Sequence, residues 1–401
     1  MTEADPIWYP VPGIRLGTAA ARIKAWERHD LLVVELPEGA SCAAVFTRNA
    51  FCAAPVRVAR EHLKTSMPRY LLVNAGNANA GTGPQGVEDA EACCRGLGLL
   101  GGCTSDRVLP FSTGVIGANL PVARMLDAMP RALDTLSEEG WPQAARAIMT
   151  TDTRPKLVSR QVLIAGQPVT ITGIAKGAGM IRPDMATMLA YIATDATVSP
   201  ALLQVCLEEA VGPSFNSITV DGDTSTNDAC VLVASGRGAA IAAVNSEACR
   251  TFSAAVQEVC MELARELVRD GEGATKLVEI VVESAGSLAE AKAVAYTIAH
   301  SPLVKTALFA SDPNWGRILA AVGRAGLAEL DIDRVEIWVG DVCIVRDGGR
   351  AAEYTEEAGQ AVMDLPEIDI LVKLGRGDVR TRVLTCDLSY DYVRINAEYR
   401  T

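Results

Sequence analysis

Short apolar runs alternate with segments of helical periodicity along the whole chain. Three runs rich in β-branched and other apolar residues predict strands: LLVVEL (31–36), AAVFT (43–47) and RYLLVN (69–74). KLVSRQVLIAGQPVTITGIA (156–175) predicts a hairpin that turns at AGQP (165–168). Helical spacing of apolar residues predicts helices in the first half of the chain over 86–100, 121–137 and 141–150.

The second half continues the same alternation. Helices are predicted over 199–211, 246–270 and 287–300, the first opening on a Ser cap followed by Pro. Strands are predicted as two around the polar loop within 217–235, one over 276–284, a hairpin over 334–348, and a pair over 367–375 and 379–388. This mixed order of elements predicts an α/β or α+β fold with mixed sheets rather than a purely parallel wound sheet.

Length and composition narrow the class of protein. The 401 residues predict two or more packed units. The formal net charge of -12 repels phosphate backbones, so we expect no nucleic-acid partner. The sequence shows neither a signal peptide nor an apolar run long enough to span a membrane, and its 11 cysteines form no CxxC pair. We therefore expect a cytoplasmic protein with reduced thiols and no membrane partner.

Several strings resemble known cofactor or metal motifs, but their context or spacing does not fit those functions. GLGLLG (96–101) follows a helical stretch instead of a strand, so it predicts a helix end and not a dinucleotide site. DGDTSTND (221–228) begins like a calcium loop but has Thr226 where glycine is needed. The three histidines show no metal-ligand spacing, so a zinc site is not expected and a catalytic base would not be histidine.

The segment GIAKGAGMIRPDMATMLAYIATDA (173–196) stands out because one hydroxyl, Thr187, lies in an apolar run behind a loop rich in Gly and Pro. The simpler interpretation is a turn before a buried strand, with Thr187 bonded to a nearby carbonyl. The alternative is that Thr187 attacks the carbonyl of Ala186 and that water cleaves the resulting ester. Cleavage would free an α-amine, which titrates near pH ~7.7–8.0 and suits a general base. One residue would then supply both nucleophile and base.

The string KGAGMIRPDMATML (176–189) resembles the signature of ornithine acetyltransferases, also called glutamate N-acetyltransferases. Asp184 stands where that family more often has Asn, a departure that leaves the nucleophile unchanged. Further motifs of this family are spread in order along nearly the whole chain: AAVFTRNAFCAAPV (43–56), NAGNANAGTG (74–83), FSTGVIG (111–117), DGDTSTND (221–228), DGEGATK (270–276), SDPNWGRI (311–318) and INAEYRT (395–401).

The resemblance implies roles for individual residues. Thr187 is the implied nucleophile, and the chain is cut between Ala186 and Thr187. Thr113 and Gly114 of FSTGVIG match the oxyanion hole of the family. The implied substrate contacts are Thr153, Lys176, Thr187, Glu272, Asn396 and Thr401. Without the resemblance, Lys176 and Glu272 would be interpreted as solvated charges at loop ends, and FSTGVIG as a plain strand-to-helix turn.

The resemblance also implies an activity, a fold and an assembly. The acetyl group of N-acetylornithine passes to glutamate by a ping-pong route through acetyl-Thr187. Acetyl-CoA is a second possible donor, and no metal or organic cofactor is needed. The implied fold is a layered sandwich, with a catalytic domain over 1–284, cut into an alpha chain (1–186) and a beta chain (187–401), and a smaller α+β domain over 285–401. Two copies of each fragment are expected to associate.

Two other functions remain open from the sequence. The first is a self-cleaved hydrolase of similar architecture, such as an aminopeptidase, in which water replaces glutamate. The second is a non-catalytic amino-acid-binding relative, which would stay a single chain. The motifs DGEGATK and INAEYRT favour the transferase over the hydrolase, and the intact MATML and STG strings argue against the binding protein.

Overall fold

The computed structural model describes residues 7–182 and 188–398. Its strands are β1 (Arg15–Ala19), β2 (Leu31–Glu35), β3 (Ser41–Phe46), β4 (Tyr70–Asn77), β5 (Val108–Val115), β6 (Lys156–Ile164), β7 (Gln167–Lys176), β8 (Leu189–Thr194), β9 (Thr197–Val198), β10 (Ala229–Ala234), β11 (Ala240–Ile241), β12 (Leu277–Ala285), β13 (Glu336–Val339), β14 (Val342–Arg346), β15 (Gly349–Arg350), β16 (Glu367–Lys373) and β17 (Val379–Cys386). Its helices are α1 (Ala54–Thr65), α2 (Gly83–Gly101), α3 (Val122–Asp134), α4 (Trp141–Ala147), α5 (Pro200–Val211), α6 (Glu247–Arg269), α7 (Leu288–Ala299), α8 (Pro302–Phe309), α9 (Trp315–Gly323), α10 (Glu356–Met363) and α11 (Tyr390–Glu398).

The described residues form two compact units, the first comprising residues up to 216 with 223–267, and the second 217–222 with 268–398. This division places β12 in the second unit. The sequence analysis expected a boundary after residue 284 between a catalytic and a C-terminal domain. That domain boundary stays a prediction.

Two mixed sheets face each other in the first unit. One has the strand order β1-β2-β4-β5 and the other β3-β10-β8-β7-β6, and each contains one parallel pair, β4 with β5 and β8 with β10. A buried cluster joins their inner faces, including Leu32 and Val34 of the first sheet with Ile174 and Val231 of the second. In the central strands β2, β4, β8 and β10 every residue is buried, which explains why their apolar residues do not alternate with polar ones.

Helices cover the outer face of each sheet. Leu31 and Val33 alternate with the inward residues of β2 and pack with Leu97 of α2 and Met129 of α3. On the second sheet, α5 packs on β3 and α6 packs on β7, where Gly173 lies against side chains of that helix. The first unit is therefore a layered α/β sandwich with mixed sheets, and the predicted fold class is confirmed.

The second unit contains a single six-stranded sheet with the order β15-β14-β13-β16-β12-β17. Its buried core includes Val278 and Ile280 of β12, Val294 and Ile298 of α7, and Ile318 of α9. The sheet is mixed, because β12 runs parallel to β16 and antiparallel to β17.

The structure corrects two sequence predictions. The expected first strand within 217–235 is absent: Phe215–Ser217 form a 3-10 turn, and Ile218 makes only an isolated bridge to Leu384. The expected strand pair β16 and β17 is not a pair, because β12 lies between the two strands. The hairpin of β6 and β7 is confirmed, with Ala165 and Gly166 as the two turn residues in left-handed conformation.

Candidate active site

The parallel strands β4 and β5 end side by side at two glycines. Gly76 is the register partner of Gly114, and the ladder is irregular at Asn77, which pairs with residues on both sides of Gly114. Gly114 has φ 134°, and a Cβ there would lie 2.3 Å from the carbonyl carbon of Gly76. Only glycine fits this close approach of the two strands. Its φ also lies in a region that other residues rarely adopt.

Lys176, the last residue of β7, reaches across to this strand end from the other sheet. Its Nζ donates to Oγ1 of Thr113 over 3.1 Å, and both residues are buried. An ammonium group only donates hydrogen bonds, so the Thr113 oxygen accepts this one and its hydroxyl hydrogen points elsewhere. The contact therefore leaves the Thr113 hydroxyl hydrogen available to donate to another acceptor. The structure brings Thr113, Gly114 and Lys176 together, and the roles expected of them stay predictions.

A buried carboxylate, which the sequence analysis missed, anchors this end of β7. Oδ1 of Asp152 accepts hydrogen bonds from Lys156 Nζ at 2.6 Å and from the Gly177 N–H at 2.7 Å. Oδ2 of Asp152 accepts from the Thr150 N–H at 2.9 Å. Burial alone raises the pKa of Asp152, but the charges of Lys156 and Lys176 and the Gly177 hydrogen bond outweigh burial and lower it to about 2. The carboxylate is therefore ionised at neutral pH.

A second buried carboxyl, Asp228, holds the backbone directly after the expected cleavage segment. Its Oδ1 accepts a hydrogen bond from the N–H of Met188 at 3.0 Å, immediately before β8 begins. Burial raises the pKa of Asp228 well above its ordinary value. The sequence analysis quoted Asp228 within DGDTSTND without giving it a role. Ala186 and Thr187, and with them the expected cut and nucleophile, lie outside the described residues.

Asparagine side chains tie the two sheets together beside Thr113. Nδ2 of Asn227 donates to the carbonyls of Ser112 at 2.9 Å and Ala78 at 2.6 Å. The Ser112 hydroxyl in turn donates to Oδ1 of Asn74 at 2.5 Å. Asn74 and Ala78 belong to NAGNANAGTG, Ser112 to FSTGVIG and Asn227 to DGDTSTND, and these motifs were the available sequence signal for a shared polar layer.

Two predicted substrate contacts meet in the second unit. Nδ2 of Asn396 donates to Oε2 of Glu272 at 2.9 Å. Only glycine fits at position 273, because its φ is 69° and a Cβ there would lie 2.4 Å from the Tyr392 nitrogen of α11. The loop is also fixed by Asp387, whose Oδ1 accepts from the Thr275 N–H. The DGEGATK loop and the last helix are thus built to hold Glu272 beside Asn396.

Two further substrate contacts were predicted. Thr153 is exposed and follows Asp152 in the chain, while Thr401 lies outside the described residues. Within 7–182 and 188–398, no group of three His, Cys, Asp or Glu side chains could hold a metal ion. In the same part of the chain, no helix is both long and apolar enough to cross a membrane.

The layered mixed sheets define an α/β protein. Its buried Lys176–Thr113 contact is a polar site of the kind that enzymes use. Residues 15–401 match the model of the ArgJ family. The chain belongs to the ArgJ family, which confirms the family resemblance drawn from its motifs.

Individual relatives are similar over almost their full length. The arginine biosynthesis bifunctional protein ArgJ of Methylococcus capsulatus is 63% identical over 393 residues, which cover 98% of this chain and 96% of the relative. The protein of the same name from Pseudomonas fluorescens is 54% identical over 399 residues, covering 99% and 98%. Among solved structures, arginine biosynthesis bifunctional protein argJ of Bacillus halodurans is 39% identical, with a TM-score of 0.49 over 52% of this chain and 98% of that one. Ornithine acetyltransferase of Mycobacterium tuberculosis, solved with ornithine, is 33% identical, with a TM-score of 0.38 over 43% and 92%.

The low pKa of Asp152 predicts a specific pH dependence of stability. The folded-state pKa of about 2 lies below the ordinary carboxyl value of 3.8. The ionised group therefore stabilises the fold by about 2 kcal/mol at pH values above the unfolded pKa, and this contribution is lost as the pH falls toward the folded pKa. In urea unfolding, the stability gap between the wild type and Asp152→Asn should be widest at neutral pH and narrow as the pH is lowered through the acid range.

The matched control is Asp134→Asn, because Asp134 is an exposed carboxyl at the end of α3. It should leave the unfolding free energy nearly unchanged at every pH. A gap for Asp152→Asn that stays constant from neutral to acid pH would contradict the assignment of a lowered pKa.

Proposed function

We propose that this chain transfers the acetyl group of N-acetylornithine to glutamate. The observation that carries the proposal is the 63% identity to a bifunctional protein of arginine biosynthesis over 98% of this chain. The local geometry supports it, because acyl transfer needs hydrogen-bond donors where negative charge develops on the acyl oxygen. The Thr113 hydroxyl, oriented by Lys176, and the backbone N–H of Gly114 have this chemistry.

The chain first cuts itself. The hydroxyl of Thr187 attacks the carbonyl of Ala186, the amide nitrogen leaves as the α-amine of Thr187, and an ester joins the two residues. Water then hydrolyses the ester, giving a new carboxylate on Ala186 and a free hydroxyl on Thr187. The product is an alpha chain of 1–186 and a beta chain that begins with Thr187. The Asp228 contact to the Met188 N–H supports this step by fixing the backbone one residue beyond the reacting bond.

Transfer then proceeds in two half-reactions. The Thr187 α-amine takes the hydroxyl proton as Thr187 attacks the acetyl carbonyl of N-acetylornithine. The C–N bond of the substrate breaks, and ornithine leaves with the proton returned by the amine. Glutamate enters, its amine attacks acetyl-Thr187, and N-acetylglutamate leaves. Thr113 and Gly114 stabilise the oxyanion in both halves by donating hydrogen bonds to it.

Charged and polar side chains recognise the substrates. Lys176 binds a substrate carboxylate, and Glu272 with Asn396 binds an ammonium group, a pairing supported by their mutual hydrogen bond. Thr153, Thr187 and Thr401 complete the substrate contacts.

The wider properties follow from the same proposal. The reaction uses no metal or organic cofactor, since every proton and acyl step is assigned to side chains and one amine. Acetyl-CoA serves as a second acetyl donor, in line with the bifunctional names of the relatives. The eleven cysteines are free, which supports the reducing cytoplasm as the compartment. Two alpha and two beta chains form the working assembly.

Self-cleavage is tested by the mass of the purified protein. We expect two chains, 1–186 and 187–401, because the Thr187 hydroxyl drives the cut. Thr187→Ala should run as one intact chain, whereas Thr187→Ser, which keeps a hydroxyl, should still mature. If Thr187→Ala is cleaved at the same bond, Thr187 is not the group that cuts the chain.

The oxyanion role of Thr113 predicts a loss of turnover with little loss of binding. Thr113→Val removes the hydroxyl at constant shape and should lower kcat by roughly 100- to 1,000-fold with KM nearly unchanged. Thr113→Ser keeps the hydroxyl and is the matched control. Steady-state kinetics on the cleaved fraction make the comparison, and a Thr113→Val enzyme with wild-type kcat would rule out the role.

A further inference from the structure

A basic pocket lies between the loop after β1 and the helix α3 in the first unit. Its volume is about 760 Å³, and four of its lining residues are cations: Arg22, Lys24, Arg124 and Arg131. Asp127 is the single acidic residue of the lining. Such a concentration of positive charge is unexpected in a chain with a net charge of -12. It creates a local field that attracts anions.

The arginines of α3 are held in place by the loop. Nη1 of Arg124 donates to the carbonyl of Arg22 at 2.7 Å, and Nη2 of Arg131 donates to the carbonyl of Ala20 at 3.3 Å. Nη1 of Arg131 also lies 3.2 Å from Oδ2 of Asp127. Because these contacts fix the guanidinium groups, the pocket is preorganised and its cations do not have to be ordered when a ligand binds.

The first turn of α3 carries an electrostatic cost that a bound anion would offset. Arg124 lies in the first turn of α3, which contains no acidic residue. A cation at this end is opposed by the helix dipole, whereas a negative charge there is stabilised.

The pocket borders the strand end that carries the candidate oxyanion hole. A Cβ on Gly76 would lie 3.4 Å from Cγ of Lys24, so this side chain packs directly on that glycine. Gly76 in turn is the close neighbour of Gly114. The same loop therefore lines the basic pocket and covers the end of β4 next to Gly114.

We propose that this pocket binds the clustered phosphates of a nucleotide. Asp127 balances one of the four cations, which leaves more positive charge than a single carboxylate would need. The guanidinium N–H groups that these internal contacts do not use can donate charge-assisted hydrogen bonds to phosphate oxygens. A cavity of about 760 Å³ has the size of a small-molecule site. The position beside Gly114 suits a nucleotide that carries an acyl thioester, and this part alone rests on the proposed function. A free nucleotide without an acyl group carries the same phosphates and is the other ligand that the pocket could take.

Calorimetry on the purified cleaved protein tests the pocket directly. The probes are coenzyme A, ADP and inorganic pyrophosphate, each titrated at low and at moderate salt. We expect saturable binding that weakens with salt, because the contacts are charge-assisted. The double variant Arg124→Gln/Arg131→Gln should bind roughly tenfold or more weakly, the loss of about 1.4 kcal/mol. Arg22→Gln, which changes an exposed side chain alone, should weaken binding in the same direction.

The matched control is Arg95→Gln/Arg380→Gln, which removes the same total charge at exposed positions outside the pocket. It should bind the probes as the wild type does. Tighter binding of coenzyme A than of ADP assigns the pocket to an acyl donor, and equal binding assigns it to a free nucleotide; both support the proposal. The proposal is overturned if no probe binds, or if the pocket variants bind like the control pair.

The readout separates this proposal from the proposed function. Binding is measured without turnover, so a protein that binds the probes but transfers no acetyl group contradicts only the transferase assignment. Conversely, acetyl transfer from N-acetylornithine by a protein that binds no probe contradicts only the pocket.

Discussion

The buried carboxylate of Asp152 holds the end of β7, the strand of the second sheet that carries Lys176. It pairs with the charge of Lys156 and accepts a hydrogen bond from the Gly177 N–H. These two contacts fix the backbone at the end of β7. Removing one partner of such a pair leaves an uncompensated buried charge, which costs about 3–5 kcal/mol. The positive charges of Lys156 and Lys176 are among the causes of the low pKa of Asp152. From the strand end that Asp152 holds, Lys176 donates a hydrogen bond to Oγ1 of Thr113.

Hydrogen bonds link the two sheets where their apolar core ends. Lys176 crosses from β7 to Thr113 of β5, and Asn227 crosses from the start of β10 to the carbonyl of Ser112. Next to Asn227, Asp228 holds the Met188 backbone. The proposed oxyanion donors, Lys176 and the backbone after the proposed nucleophile are thus connected through a few buried polar contacts. Hydrogen bonds in a buried layer of this kind are electrostatically stronger than in water, so they hold the two sheets together at this end.

The sequence predicts the fold wherever structure is local. The run LLVVEL predicts β2, and the hairpin of β6 and β7 follows from two alternating segments around Ala165 and Gly166. The sequence does not predict which strands pair when the partners are far apart in the chain. β16 and β17 are close in the chain, yet β12 lies between them in the sheet. The difference is physical, because a strand's partner depends on the free energy of the whole sheet and not on its own residues.

The residues of the candidate site also fall into those that the sequence predicted and those that it did not. Thr113, Gly114 and Lys176 were found because their motifs are distinctive, and the structure brings them together. Asp152 was missed because an acidic residue four positions before a lysine looks like a solvated ion pair in sequence. Only the packed structure reveals that both Asp152 and Lys156 have fully buried side chains.

The central claim is that an acetyl group resides on the protein between two separate half-reactions. Isotope exchange tests it most directly: the cleaved protein is incubated with N-acetylornithine and radiolabelled ornithine, with glutamate and acetyl-CoA left out. The account predicts that label enters N-acetylornithine, because the first half-reaction reverses by itself. If label is exchanged only when glutamate is added, no acetyl-protein forms on its own, and the account is contradicted.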